Sequence, residues 1–269
     1  MMIDDRTKWP IGVFDSGIGG LSVLKVLKEA FPHENFIYIG DNLNNPVGNR
    51  PYQEITSLAC HIGSFLATVP VKMMVVACNT FTVVALDDLR AKFSCPIVGV
   101  CQGVKTAIQK TKTNIIGIMA TAATVQTHIH KHVALEIEPQ LSVWEQPCPD
   151  LAHIIEKGHL SDTVVETVAK KYIAPIIEKQ IDVVVLGCTH YPFITTLLEK
   201  ITDGQVLFID PSYETADLVG RVLSDNQLVN RQAAKGTIYI YFTKDVQLAS
   251  ELASEFIDPT EFSVEKITL

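Results

Sequence analysis

The sequence has no apolar run approaching the roughly 20 residues needed to cross a bilayer. Its leading stretch, Met1–Pro10, carries Asp4, Asp5, Arg6 and Lys8 around no apolar centre, so it does not read as a signal peptide. A cytoplasmic enzyme is the expectation. Positive charge is scarce, with 22 Lys and Arg against 30 Asp and Glu and a formal net charge of -8. Such a surface argues against nucleic acid and against an anionic membrane as partners. No two of the six cysteines (Cys60, Cys78, Cys95, Cys101, Cys148, Cys188) stand at C-x-x-C spacing, so neither a disulfide framework nor a zinc site is indicated. A complete G-x-G-x-x-G is also missing, and with it the support for a dinucleotide site. There is no Ser-, Gly- or Pro-rich linker and no low-complexity segment.

What is present is apolar residue in quantity, 47% of 269, enough for a large core and for more than one compact unit. Short Val- and Ile-rich runs alternate with amphipathic stretches of helical length. Ile11–Phe14, Asn35–Ile39, Met73–Ala77 and Pro96–Val100 read as buried strands, with helices at Leu21–Phe31, Tyr52–Ala67 and Thr82–Phe93 between them. This alternation predicts a parallel sheet covered on both faces. The pattern then restarts, with strands at Asn114–Met119, Leu141–Trp144, Asp182–Leu186 and Val206–Ile209 and helices at Thr124–Val133, Ser161–Ile177 and Pro192–Ile201. The tail adds a helix at Ser212–Ser224, a strand at Thr237–Phe242, a helix at Val246–Phe256 and a strand near Val264–Ile267.

Residues repeat along with the pattern. Ile11-Gly12-Val13-Phe14-Asp15-Ser16 is echoed by Ile116-Gly117-Ile118-Met119-Ala120-Thr121, and Val75-Val76-Ala77-Cys78-Asn79-Thr80 by Val185-Leu186-Gly187-Cys188-Thr189-His190, at offsets of 105 and 110. Two echoes in the same order favour a duplicated unit. The expected fold is therefore α/β, with two facing parallel-sheet domains related by internal duplication and a site in the cleft between them. The boundaries fall at 1–98 together with 210–269 for the first domain and at 99–209 for the second.

Parallel sheets bind ligands beyond the C-terminal ends of their strands. Polar residues gather at those ends: Asp15 and Ser16 after the first strand, Cys78, Asn79 and Thr80 after the third, Thr121 and Thr124 after the first strand of the second unit, and Cys188, Thr189 and His190 after its counterpart. If the units face each other, each supplies one Cys. Inverting a stereocentre needs a base on one face and an acid on the other, and a thiol with a pKa of about 8.5 can serve as either. Both cysteines precede a predicted helix, whose N-terminus lowers a thiol pKa. Asp15 and His190 could exchange protons with the thiols or tune their charge. Cys60, Cys95 and Cys101 fit the ordinary role of small buried hydrophobes. His128, His130 and His132 are spread around one predicted helix, and His153 and His159 flank Glu156 in no zinc motif, so no metal is expected.

Taken together the segments resemble glutamate racemase, in the aspartate/glutamate racemase family. The stretches that carry the resemblance are IGVFDSGIGGLSVL (11–24), YIGDNLNNPVGNRP (38–51), VVACNTFTVVALDDLR (75–90), PIVGV (96–100), IGIMATAATVQT (116–127), VVLGCTHYPFI (184–194) and DPSYETA (210–216). The resemblance implies cofactor-independent interconversion of L- and D-glutamate, supplying D-glutamate for peptidoglycan, with no pyridoxal phosphate. It implies that Cys78 acts on the D-glutamate side and Cys188 on the L-glutamate side. Asp15 would assist Cys78 and, with Ser16, hold the substrate ammonium. His190 would assist Cys188, and Glu156 would support His190. Asn79, Thr80, Thr121, Thr124 and Thr189 would hold the substrate carboxylates, and the backbone N–H groups of Val47 and Gly48 would meet the distal one. Val47, Phe81 and Ala120 depart from the family's usual Tyr, small residue and Gly, which bears on pocket size. The alternatives are a racemase acting on aspartate, a single-thiol decarboxylase or isomerase, and a non-catalytic amino-acid-binding homologue. Oligomeric state is left open, a homodimer included.

Overall fold

The structure is a computed structural model that describes residues 5–269; of the leading stretch, Met1–Asp4 lies outside the described residues. Among the described residues, ten strands form two separate parallel sheets. The first holds β1 (Ile11–Asp15), β2 (Phe36–Gly40), β3 (Met73–Val76), β4 (Ile97–Gly99), β9 (Ile238–Phe242) and β10 (Phe262–Lys266), in the order β10-β9-β2-β1-β3-β4. The second holds β5 (Ile115–Ala120), β6 (Ser142–Pro147), β7 (Val183–Gly187) and β8 (Leu207–Ile209), in the order β6-β5-β7-β8.

The two orders are one topology used twice, since β2-β1-β3-β4 maps onto β6-β5-β7-β8. The register repeats as well. Gly12 pairs with Met74, and Gly117 pairs with Val184. Those are the partners that the residue echoes demand, because 12 plus 105 is 117 and 74 plus 110 is 184. A slip of one residue would turn every side chain to the opposite face, so an equal register means an equal set of inward-facing residues.

Both sheets are buried on both faces, as parallel sheets generally are. In the first, Val13, Tyr38 and Val75 pack towards α1 (Leu21–Ala30), α10 (Ser212–Asp225) and α11 (Val246–Ser254). Phe14, Ile39 and Val76 face α2 (Tyr52–Leu66) and α3 (Asn79–Lys92) on the other side. In the second, Ile116, Ile118 and Val185 face α4 (Val104–Lys110) and α6 (Ile129–Ile137). Met119, Val184 and Leu186 face α7 (Leu151–Glu156), α8 (Thr163–Glu178) and α9 (Thr195–Ile201). Leu160 and Phe193 belong to the margins of both major cores, and the Phe193 ring meets Phe256 edge-on at 4.3 Å. No helix among the described residues is long and apolar enough to cross a membrane.

Two predicted helices differ from those observed, and two short helices were not predicted. The helix expected over Thr124–Val133 is two helices, α5 (Ala122–Gln126) and α6, broken at Thr127 and His128. His128 adopts a left-handed φ of 51°, and the Thr127 hydroxyl donates to Thr124 O and accepts from Ile129 N, diverting the backbone ladder. The helix expected from Pro192 begins as a 3₁₀ turn, Tyr191–Ile194, and becomes α-helical only at Thr195. Both α4 and α7 are of six or seven residues, too short for apolar spacing to reveal.

At the end of the first sheet opposite the cleft, Lys72 is wholly buried. Its Nζ bonds Thr7 O at 2.6 Å and Leu228 O at 2.9 Å and forms an ion pair with Glu34, whose other oxygen accepts Asn230 N. Burial lowers the Lys72 pKa, while Glu34 opposes that. Removing one partner of a buried pair strands the other's charge. Glu34→Ala should therefore lose roughly 3–5 kcal/mol of stability, read as a fall in the urea midpoint at unchanged m-value.

Candidate active site

The C-terminal ends of β1, β3, β5 and β7 open onto one cavity between the two sheets. Its free volume is only about 20 Å³, far below the roughly 300–1,000 Å³ of small-molecule sites, so the cleft is closed and must part to admit a ligand. It is lined by Ser16, Val47, Gly48, Cys78, Asn79, Thr80, Thr121, Cys188, Thr189 and His190, and also by Asn45, Pro46, Asn49, Pro149 and Ala152. Asp15 and Thr124 lie directly behind this lining and are completely buried. All six cysteines are free, and Cys60, Cys95 and Cys101 sit half-buried away from the cavity.

Each half of the cavity has its own thiol and its own polar partners. On the first side, Cys78 caps α3 and lies 3.6 Å from Ser16 Oγ. Asp15 accepts Gly17 N–H at 3.0 Å and, across the cleft, the Thr189 hydroxyl at 3.0 Å. Burial raises the Asp15 pKa to about 6, against the opposing pull of His190. Burial also pushes the Cys78 thiol far up, and the charge of Asp15 adds to this. The helix N-terminus and Ser16 act in the expected lowering direction, through the Phe81 N–H and the Ser16 hydroxyl, but desolvation is the larger effect. Cys78 in the closed cavity is therefore biased towards the neutral thiol.

On the second side, Cys188 precedes the short 3₁₀ turn rather than an α-helix, so a helix dipole is not its main partner. Its Sγ is 3.7 Å from His190 Nδ1, and His190 Nε2 is 2.6 Å from Glu156 Oε2. Burial works to lower the His190 pKa, yet the bonds to Cys188 and Glu156 prevail and raise it well above the usual value. Both contacts favour the protonated ring, which can direct one N–H at each neighbour. Glu156 comes from the last residue of α7, in the second unit. It also accepts Ile18 N–H at 3.1 Å and Asn45 Nδ2 at 3.0 Å from the first. A Cβ at Gly17 would collide with both Glu156 and Asn45, so glycine is required there.

A third cluster closes the far end. Thr80 Oγ1 lies 3.0 Å from Thr121 Oγ1 and 3.4 Å from Thr124 Oγ1, and the Thr121 hydroxyl donates to Thr124 at 3.0 Å. Gly48 O accepts Ala123 N–H at 2.9 Å across the same boundary, and a Cβ on Gly48 would stand 2.6 Å from Thr121 Cβ. The Asn45–Pro46 peptide preceding this contact is cis. Val47 is buried in the same apolar cluster as Phe14, Cys78 and Phe81, and the Phe81 ring rests against Phe14 at 6.4 Å rather than lining the cavity.

Asn45 and Asn49 were not legible as site groups in the sequence, whereas the Gly17-Ile18-Gly19-Gly20 turn, whose N–H groups the sequence offered to a carboxylate or phosphate, does hold one through Ile18 N–H and Glu156. Asn45 has no periodicity to mark it, and its neighbour Pro46-Val47-Gly48 was the nearest signal. The histidines outside the cavity are dispersed: His128 is exposed and paired with Glu145 at 2.6 Å, His130 is buried, His132 is exposed, and His159 pairs with Asp162 at 2.6 Å.

The family model described as Asp/Glu/Hydantoin racemase matches residues 25–219. The glutamate racemase of Herpetosiphon aurantiacus is 40% identical over 229 residues, 85% of this chain and 90% of that protein. Among solved structures, glutamate racemase isoform RacE1 of Bacillus anthracis is similar with a TM-score of 0.89 at 31% identity, covering 98% of each chain. The glutamate racemase of Francisella tularensis, solved in complex with D-glutamate, has a TM-score of 0.86 at 32% identity, covering 97% of this chain and 98% of that one. With a repeated parallel-sheet topology, a shared cleft and these similarities, the chain belongs to the Asp/Glu/Hydantoin racemase family.

Proposed function

We propose that this chain interconverts L- and D-glutamate without a cofactor, by a two-base mechanism between Cys78 and Cys188. The observation that carries the reading is the pair of buried thiols lining one cavity from opposite units, each beside a different proton-handling group. The relatives that bear the name glutamate racemase, and the one holding D-glutamate, support glutamate as the substrate. On this reading the enzyme works in the cytoplasm and supplies D-glutamate for peptidoglycan.

One thiolate takes the proton from C2, the C–H pair remains on carbon as a carbanion, and the opposite thiol delivers its proton to the other face. From L-glutamate, Cys188 removes and Cys78 delivers; from D-glutamate the roles reverse. Asp15 assists Cys78 and, with Ser16, meets the substrate ammonium. His190, held by Glu156, assists Cys188. Asn79, Thr80, Thr121, Thr124 and Thr189 receive the carboxylates, and the N–H groups of Val47 and Gly48 receive the distal one. For substrate to enter, residues 99–209 swing as a unit against 1–98 with 210–269, breaking and remaking the threonine and Glu156 contacts. Because backbone donors hold the distal group, the aliphatic Val47 side chain changes packing and leaves the donors in place.

Either Cys78→Ala or Cys188→Ala should reduce racemisation by about 10²–10⁴-fold, the usual worth of a positioned acid–base group. In heavy water the wild type should place deuterium in the product enantiomer and not in recovered substrate. Circular dichroism and proton NMR follow both, and a wild-type rate in Cys188→Ala would overturn the scheme. Asp15 must be ionised to attract the ammonium, so kcat/KM should fall as pH drops through about 6. In Asp15→Asn that acid limb should vanish from the pH–rate profile along with most of the rate. Glutamate should exceed aspartate in kcat/KM by roughly 10–200-fold, the value of one methylene in a fitted pocket, and a preference for aspartate would reassign the substrate.

A further inference from the structure

Glu156 sits on one unit, serves a histidine of that same unit, and is nevertheless anchored by the other. Its Oε2 accepts His190 Nε2 at 2.6 Å and Asn45 Nδ2 at 3.0 Å, and both of its oxygens lie within 3.3 Å of Ile18 N. Ile18 follows β1, and Asn45 lies in the connection from β2 to α2, on the same loop as Val47 and Gly48. Among the described residues, the side-chain donor reaching Glu156 from the first unit is the Asn45 amide, and Asn45 also lines the cavity.

We propose that Asn45 is a positioning residue for the Cys188 half of the reaction. By fixing Glu156 against His190 only when the two units are closed, it assembles the L-side proton relay at the moment substrate is enclosed. The argument rests on the two-thiol reading given above. A carboxylate with several free rotamers costs conformational entropy to order. Two N–H donors from the opposite unit supply that order, and they are lost when the units part. The groups facing His190 are then Glu156 from α7, Cys188 from the end of β7 and Asp15 from the end of β1. Of these, Glu156 alone depends on Asn45. No comparable contact from Asn45 reaches Cys78, Ser16 or Asp15, so the effect belongs to one side.

That asymmetry gives the test. In Asn45→Leu, which keeps the branched side-chain shape and loses the donor, and in Asn45→Ala, the transfer handled by Cys188 slows. A hydrogen bond to a charged group is involved, so kcat/KM should fall about tenfold. It must fall equally in both directions, because the enantiomers have equal free energy. The isotope effects on kcat/KM separate the two sides. With 2-deuterated L-glutamate the slowed step breaks the C–D bond, and the isotope effect should rise. With 2-deuterated D-glutamate the bond breaks at Cys78, in a step that no longer limits, and the isotope effect should fall. Asn45→Gln, which retains an amide donor, should move both back towards wild type. Isotope effects that move together, or that keep their wild-type values in both donor-less variants, overturn the role of Asn45. A wild-type protein that does not racemise glutamate overturns the underlying reading instead.

Discussion

The Glu156 carboxylate lies where the two sheets meet, and it receives N–H groups from both. His190 approaches from the second unit; Ile18 and Asn45 approach from the first. A carboxylate largely withdrawn from water is costly unless its oxygens are filled, and three donors fill them. The closed form of the cleft follows from that requirement. When the units are together, Glu156 is satisfied, and its contact with His190, like that of Cys188, favours the protonated ring. The Thr189–Asp15 bond and the Thr80–Thr121–Thr124 cluster add further crossings of the same boundary. Polar satisfaction therefore links the geometry of the site to the relative position of the sheets.

The two halves of the cavity are alike in topology and unlike in electrostatics. Equal strand order and equal register deliver a Cys to the same place in each unit. The neighbours then differ. Cys78 stands beside a buried acid and a hydroxyl, and burial biases it towards the neutral form. Cys188 stands beside a histidine backed by a carboxylate that favours its protonated form. On the proposed two-thiol reading, a reaction that removes a proton on one face and supplies one on the other benefits from that difference, since the two thiols would need opposite protonation states at each turnover. A duplicated scaffold thus gives equivalent positions, and local substitution gives them unequal chemistry.

Very little apolar surface distinguishes the cleft from the cores around it. Val47 and Cys78 belong to the cluster containing Phe14 and Phe81, while Cys188 belongs to the cluster of the second unit. The site is a seam between well-packed layers, and its side chains inherit their rigidity from those layers. Phe81 illustrates this. Its position immediately after Cys78-Asn79-Thr80 suggests a pocket wall, yet one helical step turns it inwards to Phe14. The same step keeps Asn79 and Thr80 at the cavity.

Much of this was legible in the sequence because it is encoded locally. Val- and Ile-rich runs alternating with amphipathic stretches specify a doubly covered parallel sheet, since only that environment buries both faces of a strand. The two residue echoes specified a repeated topology, and the strand ends specified where Cys78, Cys188, Asp15, Thr121 and His190 would lie. Short elements escaped, since α7 and α4 complete too few turns for periodicity, and the break at His128 arises from a threonine side chain competing for backbone hydrogen bonds. The protonation states escaped for a different reason. A helix N-terminus pulls the Cys78 thiol down, and only the folded molecule shows how completely water is excluded around it, which pushes it up further. Likewise the contact of Asn45 with Glu156 joins residues 111 positions apart. Sequence determines which groups stand at the ends of the strands; the packing of one sheet against the other decides which of them meet, because desolvation and hydrogen bonding across the boundary depend on distances that no local pattern contains.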